Sequence, residues 1–171
     1  MLLYEVGTHL LDVSRFLFGE PESVYARLHH ISPDVIGEDV QMLTLAYPGM
    51  TLVIHDSWAS VPVPGADKPK DERRWFPRII EVDGILGTLI LRIDGSIHLY
   101  TDEDHKTWQC TPDSIPRSHI AAQQHFIDCL ESGQEFETSD EGTIKTMALV
   151  YACYRSAEDD RVVDPKEMLS E

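Results

Sequence analysis

Glu5, His9 and Asp12 lie four and three residues apart in an N-terminal segment that reads as helix. At 100° per residue they fall within about 60° of one another and form a polar stripe. Residues at these spacings are neighbours on a helix surface, so the imidazole has a carboxylate about one turn away on either side. Histidine changes protonation state near neutral pH, and a nearby carboxylate fixes its tautomer and favours its charged form. Such a group can take a proton from a hydroxyl while another group accepts hydride. The same residue types also make an ordinary solvated helix face, and the spacing alone does not choose between the two. Gly7 lies inside this helix, where glycine costs about 1 kcal/mol relative to alanine. Something is expected to pack closely against the backbone there.

The elements that position this stripe follow from periodicity. Leu3, Val6, Leu10, Val13 and Leu17 predict one buried seam on a helix from about Leu2 to Phe18. Gly19 and Pro21 end it. Strands are expected at Ser23 to Ile31, Asp39 to Tyr47, Thr51 to Ser60, Arg78 to Val82, Thr88 to Ile93 and Ser96 to Thr101. Pro48-Gly49 and Asp94-Gly95 read as hairpin turns. Val61 to Phe76 is rich in proline and charge and reads as a long surface loop. Two helices close the chain, His119 to Ser132 and one running to about Glu158. A capping box from Thr138 to Glu141 starts the second, and Met147, Val150, Tyr151 and Tyr154 lie on its apolar side. A helix, then strands, then helices predicts an α+β fold: an open, mainly antiparallel sheet with helices packed on one face. The 171 residues are enough for a single domain.

Composition excludes several classes. The formal charge is -16, with 30 acidic against 14 basic side chains, the opposite of what phosphate backbones or anionic lipid require. Neither nucleic acid nor membrane is an expected partner. Cys110, Cys129 and Cys153 are odd in number, far apart and without CxxC spacing, which argues against a disulfide framework or structural zinc. Cys129 and Cys153 read as small buried hydrophobes. His29 and His30, like His55 and Asp56, are adjacent strand residues on opposite faces; a zinc or iron site combining His55, His98 or other sheet histidines is the minor alternative, which no metal-ligand spacing supports. No metal is expected. The N-terminus carries no signal-like segment, so the cytoplasm is the default location.

Beyond the helix stripe, the order of motifs resembles the glucose-fructose oxidoreductase / inositol dehydrogenase / rhizopine-catabolism family, in its C-terminal domain. Glu5-Val6-Gly7-Thr8-His9-Leu10-Leu11-Asp12 is similar to that family's D-x-G-x-H-x-x-D helix, with Glu5 standing where the family has Asp. Gly19-Glu20-Pro21 to Val24 resembles its exit from that helix. Glu38-Asp39, Gly49 and Ser57-Trp58 resemble its central hairpin, and Gly84 to Leu89 its G-x-x-G-T-L turn. Ser139 to Gly142 and Ser156-Ala157-Glu158 resemble its closing helices.

The resemblance implies the substrate side of an NAD- or NADP-dependent oxidoreductase acting on a sugar or polyol. It implies His9 as acid/base or substrate-orienting group and Glu5 as its acidic partner. Asp12, Trp58 and Arg74 are the candidate substrate contacts. Arg73, Arg74 and Trp75 either close over substrate or form a basic surface segment. No GxGxxG precedes a helix here, and the family's Glu-Lys-Pro motif is absent, so no tight independent dinucleotide binding is expected. The abrupt helical start points to a parent with a preceding Rossmann domain that is missing from these residues. The resemblance also implies a homo-oligomer formed through the exposed sheet face. A non-catalytic oligomerisation or ligand-binding module derived from the family is the alternative.

Overall fold

A computed structural model describes residues 1–59, 80–92, 94–109 and 114–169. The expected loop Val61 to Phe76, and with it Arg73, Arg74 and Trp75, lies outside the described residues, as does Cys110. The fold is α+β with antiparallel sheets. It divides into two compact units, Met1–Trp75 with Glu137–Glu171, and Phe76–Phe136.

The first unit begins with a π-helical turn, Leu3–Gly7, that runs into α1, Thr8–Phe18. Strands β1 (Ser23–His29), β2 (Val40–Tyr47) and β3 (Met50–Ser57) form one sheet in the order β1-β2-β3. Gly49, at positive φ, closes the β2–β3 hairpin with Pro48. Helix α3, Asp140–Asp159, and α1 pack on the same core, and a 3-10 turn, Pro165–Leu169, follows. Strand alternation sends Val24 and Ala26 of β1, and Leu43, Leu45 and Tyr47 of β2, inward against Leu3, Leu11, Leu149, Val150 and Cys153. Burial pushes the Cys153 thiol up to about 12, as its apolar surroundings require.

The seam of α1 differs from the one its sequence period predicts. Leu11 and Ser14 are buried, whereas Val13 is 47% and Leu17 55% exposed. The cause is the π turn, in which the Thr8 N–H reaches the Leu3 carbonyl, five residues back. That extra residue shifts the phase of everything after it by about one position. The seam therefore passes through Gly7, Leu11, Ser14 and Phe18, and Phe18 meets Tyr47 edge-on at 6.2 Å between ring centroids. Two expectations about α3 are also corrected. Ser139, not Thr138, caps the helix, its hydroxyl accepting from the Gly142 N–H at 3.2 Å. Tyr151 is 53% exposed, because the buried face runs through Leu149, Val150, Ala152 and Cys153.

The second unit holds β4 (Ile80–Gly84), β5 (Gly87–Leu91), β6 (Ser96–Tyr100) and β7 (His105–Gln109), ordered β4-β5-β6-β7 and antiparallel throughout. Gly95, at φ +79°, turns the β5–β6 connection. Strand β7 went unpredicted because all five of its residues are exposed and no apolar alternation marks it. Helix α2 spans Ser114–Ser132, starting before the expected His119. No helix among the described residues is long and apolar enough to cross a membrane.

Candidate functional site

The start of the first helix is held by Glu38. Its carbonyl accepts from Leu2 N–H at 2.9 Å, and its Oε1 accepts from Leu3 N–H at 3.2 Å and from the Tyr154 hydroxyl at 2.7 Å. Burial, reinforced by the Glu38 carboxylate, pushes the Tyr154 phenol well above its usual range, so it stays a donor. Asp39 follows, fully buried. Burial works against its charge, but the N–H groups of Ile31 and Ser32, at 2.8 and 2.7 Å, outweigh it and hold the carboxyl below its ordinary range. The Asp39 carbonyl accepts from Trp58 N–H at 2.8 Å. One buried turn thus anchors both the helix start and the end of β3.

Gly7 lies directly over Gln41. A Cβ at Gly7 would come within 2.7 Å of the Gln41 Oε1 and 2.8 Å of a Leu3 methyl. This is the close approach that the helical glycine implied. Gln41 occupies an inward position of β2, is fully buried, and neither of its amide atoms has a hydrogen-bond partner among the described residues. Its register partner on β3 is Asp56.

Glu5 and His9 are both exposed on this helix, and neither side chain makes a hydrogen bond or ion pair among the described residues. Asp12 is drawn elsewhere. Its Oδ1 accepts from the Thr146 hydroxyl at 2.6 Å and from Arg15 at 3.5 Å. Arg15 also donates to the Gly142 carbonyl at 2.8 Å and pairs with Glu20 at 2.6 Å. Its bond to Arg15 holds the Glu20 carboxyl below its usual range. Asp12 is therefore part of a tether between α1 and α3. Trp58 is half-buried at the end of β3, at the Gln41 end of the sheet. Arg74 lies outside the described residues.

Sequence reasoning missed Gln41, Tyr154 and the Arg15 tether. The available signal for Gln41 was a polar residue in phase with Leu43, Leu45 and Tyr47. It also missed a histidine pair in the second unit, where His98 Nδ1 stands 3.1 Å from His105 Nε2. Among the described residues no group of three or more His, Cys, Asp or Glu side chains could hold a metal ion. Gly84 to Gly87 close the β4–β5 hairpin and do not lead into a helix, so they do not form a dinucleotide cradle.

Residues 1–90 match the family model described as the GFO/IDH/MocA C-terminal domain. A D-apiose dehydrogenase from Paraburkholderia graminis is 33% identical, covering 99% of this chain and 46% of the relative. Another, from Rhizobium rhizogenes, is 32% identical, covering 98% of this chain and 50% of the relative. The chain thus spans about half the length of the curated relatives it matches. Among solved structures, an oxidoreductase from Agrobacterium radiobacter in complex with NAD+, L-tartaric acid and magnesium matches with a TM-score of 0.82 at 31% identity, covering 97% of this chain and 49% of that one. A levoglucosan dehydrogenase in complex with NADH and levoglucosan has a TM-score of 0.77 at 17% identity over 94% of this chain and 49% of its own, a likeness of fold alone.

Proposed function

The chain belongs to the GFO/IDH/MocA family through its C-terminal domain, and from that premise we propose that it is the substrate-side part of a cytoplasmic oxidoreductase acting on a sugar, polyol or related hydroxy compound. One observation carries the reading. His9 is an exposed imidazole with no hydrogen-bond or ion-pair partner among the described residues, held on a helix whose start is fixed by Glu38 and whose phase is fixed by the fit of Gly7 over Gln41. A histidine left free in this way can take or return the proton of a substrate hydroxyl. Glu5, exposed on the preceding turn, binds a neighbouring hydroxyl or assists that transfer, and Trp58 offers an apolar wall for a sugar face. Asp12 acts through the helix it tethers.

The described residues do not fit a dinucleotide, so NAD or NADP is assigned to the nucleotide-binding domain of the complete enzyme, and the chain alone is inactive. D-apiose, the substrate in the names of the curated relatives, is the first sugar to try. Joined to the nucleotide-binding half of such a relative, the chain should reduce NAD+ or NADP+ with sugar. His9→Asn should lower kcat by about 10²–10⁴, and Glu5→Gln by less. Unchanged turnover in His9→Asn overturns the assignment. A thermal shift of several degrees when the chain alone meets millimolar dinucleotide overturns the absence of a cofactor site.

A second reading is a non-catalytic module that associates with its own copies through the sheet. It is favoured by the partly open apolar face of the second sheet, where Leu89, Ile97 and Trp108 lie. A clean monomer by light scattering at micromolar concentration counts against it.

A further inference from the structure

We infer that His98 and His105 form a two-imidazole site for one divalent transition-metal ion of the zinc, nickel or copper type, on the polar face of the second sheet. The site is independent of the oxidoreductase reading. Tyr100 pairs with His105 and His98 with Thr107, so these four side chains share a face, and the two histidines meet on the diagonal. Their facing nitrogens, His98 Nδ1 and His105 Nε2, are 3.1 Å apart. Imidazole binds such ions at about 2.0–2.1 Å, and two adjacent ligands of one ion then stand about 2.9–3.4 Å apart. The rings face each other nearly in plane, with centroids 5.4 Å apart, so each must turn by about 35–45° from the N–N line for both lone pairs to converge on one ion.

The protonation pattern is fixed from below. Asp94 Oδ1 accepts from Ser96 N–H at 2.9 Å and from the Ser96 hydroxyl at 2.6 Å. A serine hydroxyl has one proton, so toward His98 Nε2, at 2.9 Å, Ser96 Oγ is the acceptor. Nε2 therefore carries the proton and Nδ1 is left with a free lone pair aimed at His105. The two bonds from Ser96 hold the Asp94 carboxyl below its ordinary range and keep it an acceptor. Ser96 is only 6% exposed, which makes this chain a rigid support. A carboxylate acting on the far nitrogen of a histidine is the outer-shell arrangement that orients metal ligands. Without an ion, His105 Nε2–H donates to His98 Nδ1. An ion takes the place of that proton, which moves to His105 Nδ1.

The surroundings suit a cation. Glu81 and Asp83 of β4 lie on the same face, as does Arg92 just past β5, and Lys106 lies on the other. The Tyr100 ring stacks on His105 at 4.2 Å and limits its rotation. Thr107 Oγ1, 3.3 Å from both nitrogens, lies beside the ion position. Two nitrogens favour a borderline transition ion over magnesium or calcium, which take oxygen. Water completes the coordination.

The test uses the untagged chain, stripped with chelator and titrated calorimetrically with Zn2+. One ion per chain is expected, lost in His98→Ala and in His105→Ala, and weakened about tenfold in Ser96→Ala. Cu2+ in the same chain should give an electron paramagnetic resonance spectrum with two coordinated nitrogens. Circular dichroism checks that the variants fold, and His105→Gln, at an exposed position, supplies a second loss variant. Absence of saturable uptake, or uptake unchanged in the His98→Ala/His105→Ala double variant, overturns the site.

Discussion

The sheet of β1–β3 and the sheet of β4–β7 share antiparallel pairing, tight glycine turns and apolar alternation, yet they differ in what covers them. The first is packed by α1 and α3, and it holds nearly every buried side chain among the described residues. Among the described residues of the second unit, only Ser96 and, on α2, Cys129 are buried. Ile80, Val82, Leu89, Leu91, Ile97 and Leu99 line one face of its sheet but remain partly open. Alternation reports which face of a strand is apolar; it does not report whether anything lies against that face. The two units therefore carry different kinds of work. The first fixes the backbone under Glu5 and His9, and the second displays surfaces.

The largest effect expected from this contrast is in the core. Leu149→Ala, at a position 1% exposed, should cost about 2–5 kcal/mol in urea unfolding. Leu89→Ala, in the open sheet, should cost much less. Equal losses would mean that the second sheet is as well packed as the first.

What could be read from the sequence divides along the same line. Gly19, Pro48-Gly49 and Asp94-Gly95 mark real chain reversals because their physics is local. The helical period also placed Glu5 and His9 on one helix surface. It failed on the seam beyond them, because a π turn is a tertiary outcome: Gln41, far along the chain, packs where the helix must bring Gly7. The Glu38–Tyr154 bond joins residues 116 positions apart and leaves no local trace. Strand β7 was invisible because all five of its residues are exposed and follow no apolar alternation, and the histidine pair went unseen with it.

Gly7→Ala tests how rigid the first unit is at its most crowded point. The added methyl overlaps two buried side chains, and about 1–3 kcal/mol of destabilisation is expected. In the joined enzyme, kcat should fall more than the loss of folded protein explains, because the phase of His9 shifts with the turn. A neutral result would mean that the π turn gives way at no cost and does not hold His9.

Ser139→Ala should remove about 1 kcal/mol by leaving the Gly142 N–H uncapped. Thr138→Ala should change stability by less than about 0.5 kcal/mol. Thermal unfolding of the pair decides which residue starts α3, and with it the placing of Gly142 and Thr146 under Arg15.

The smallest expected change is the most informative about why the first unit is built as it is. Gln41 buries an amide with neither atom bonded among the described residues, which a core selected for stability alone would avoid. Replacing a desolvated, unpaired polar group by an apolar one of similar size relieves that penalty. Gln41→Met should therefore leave the isolated chain unchanged or more stable by up to about 1 kcal/mol. If the amide is kept for the site, the same variant in the joined enzyme should lose turnover while gaining stability. If it is kept only for packing against Gly7, turnover and stability should move together. The sign of that difference separates a polar group that serves the helix from one that serves the substrate.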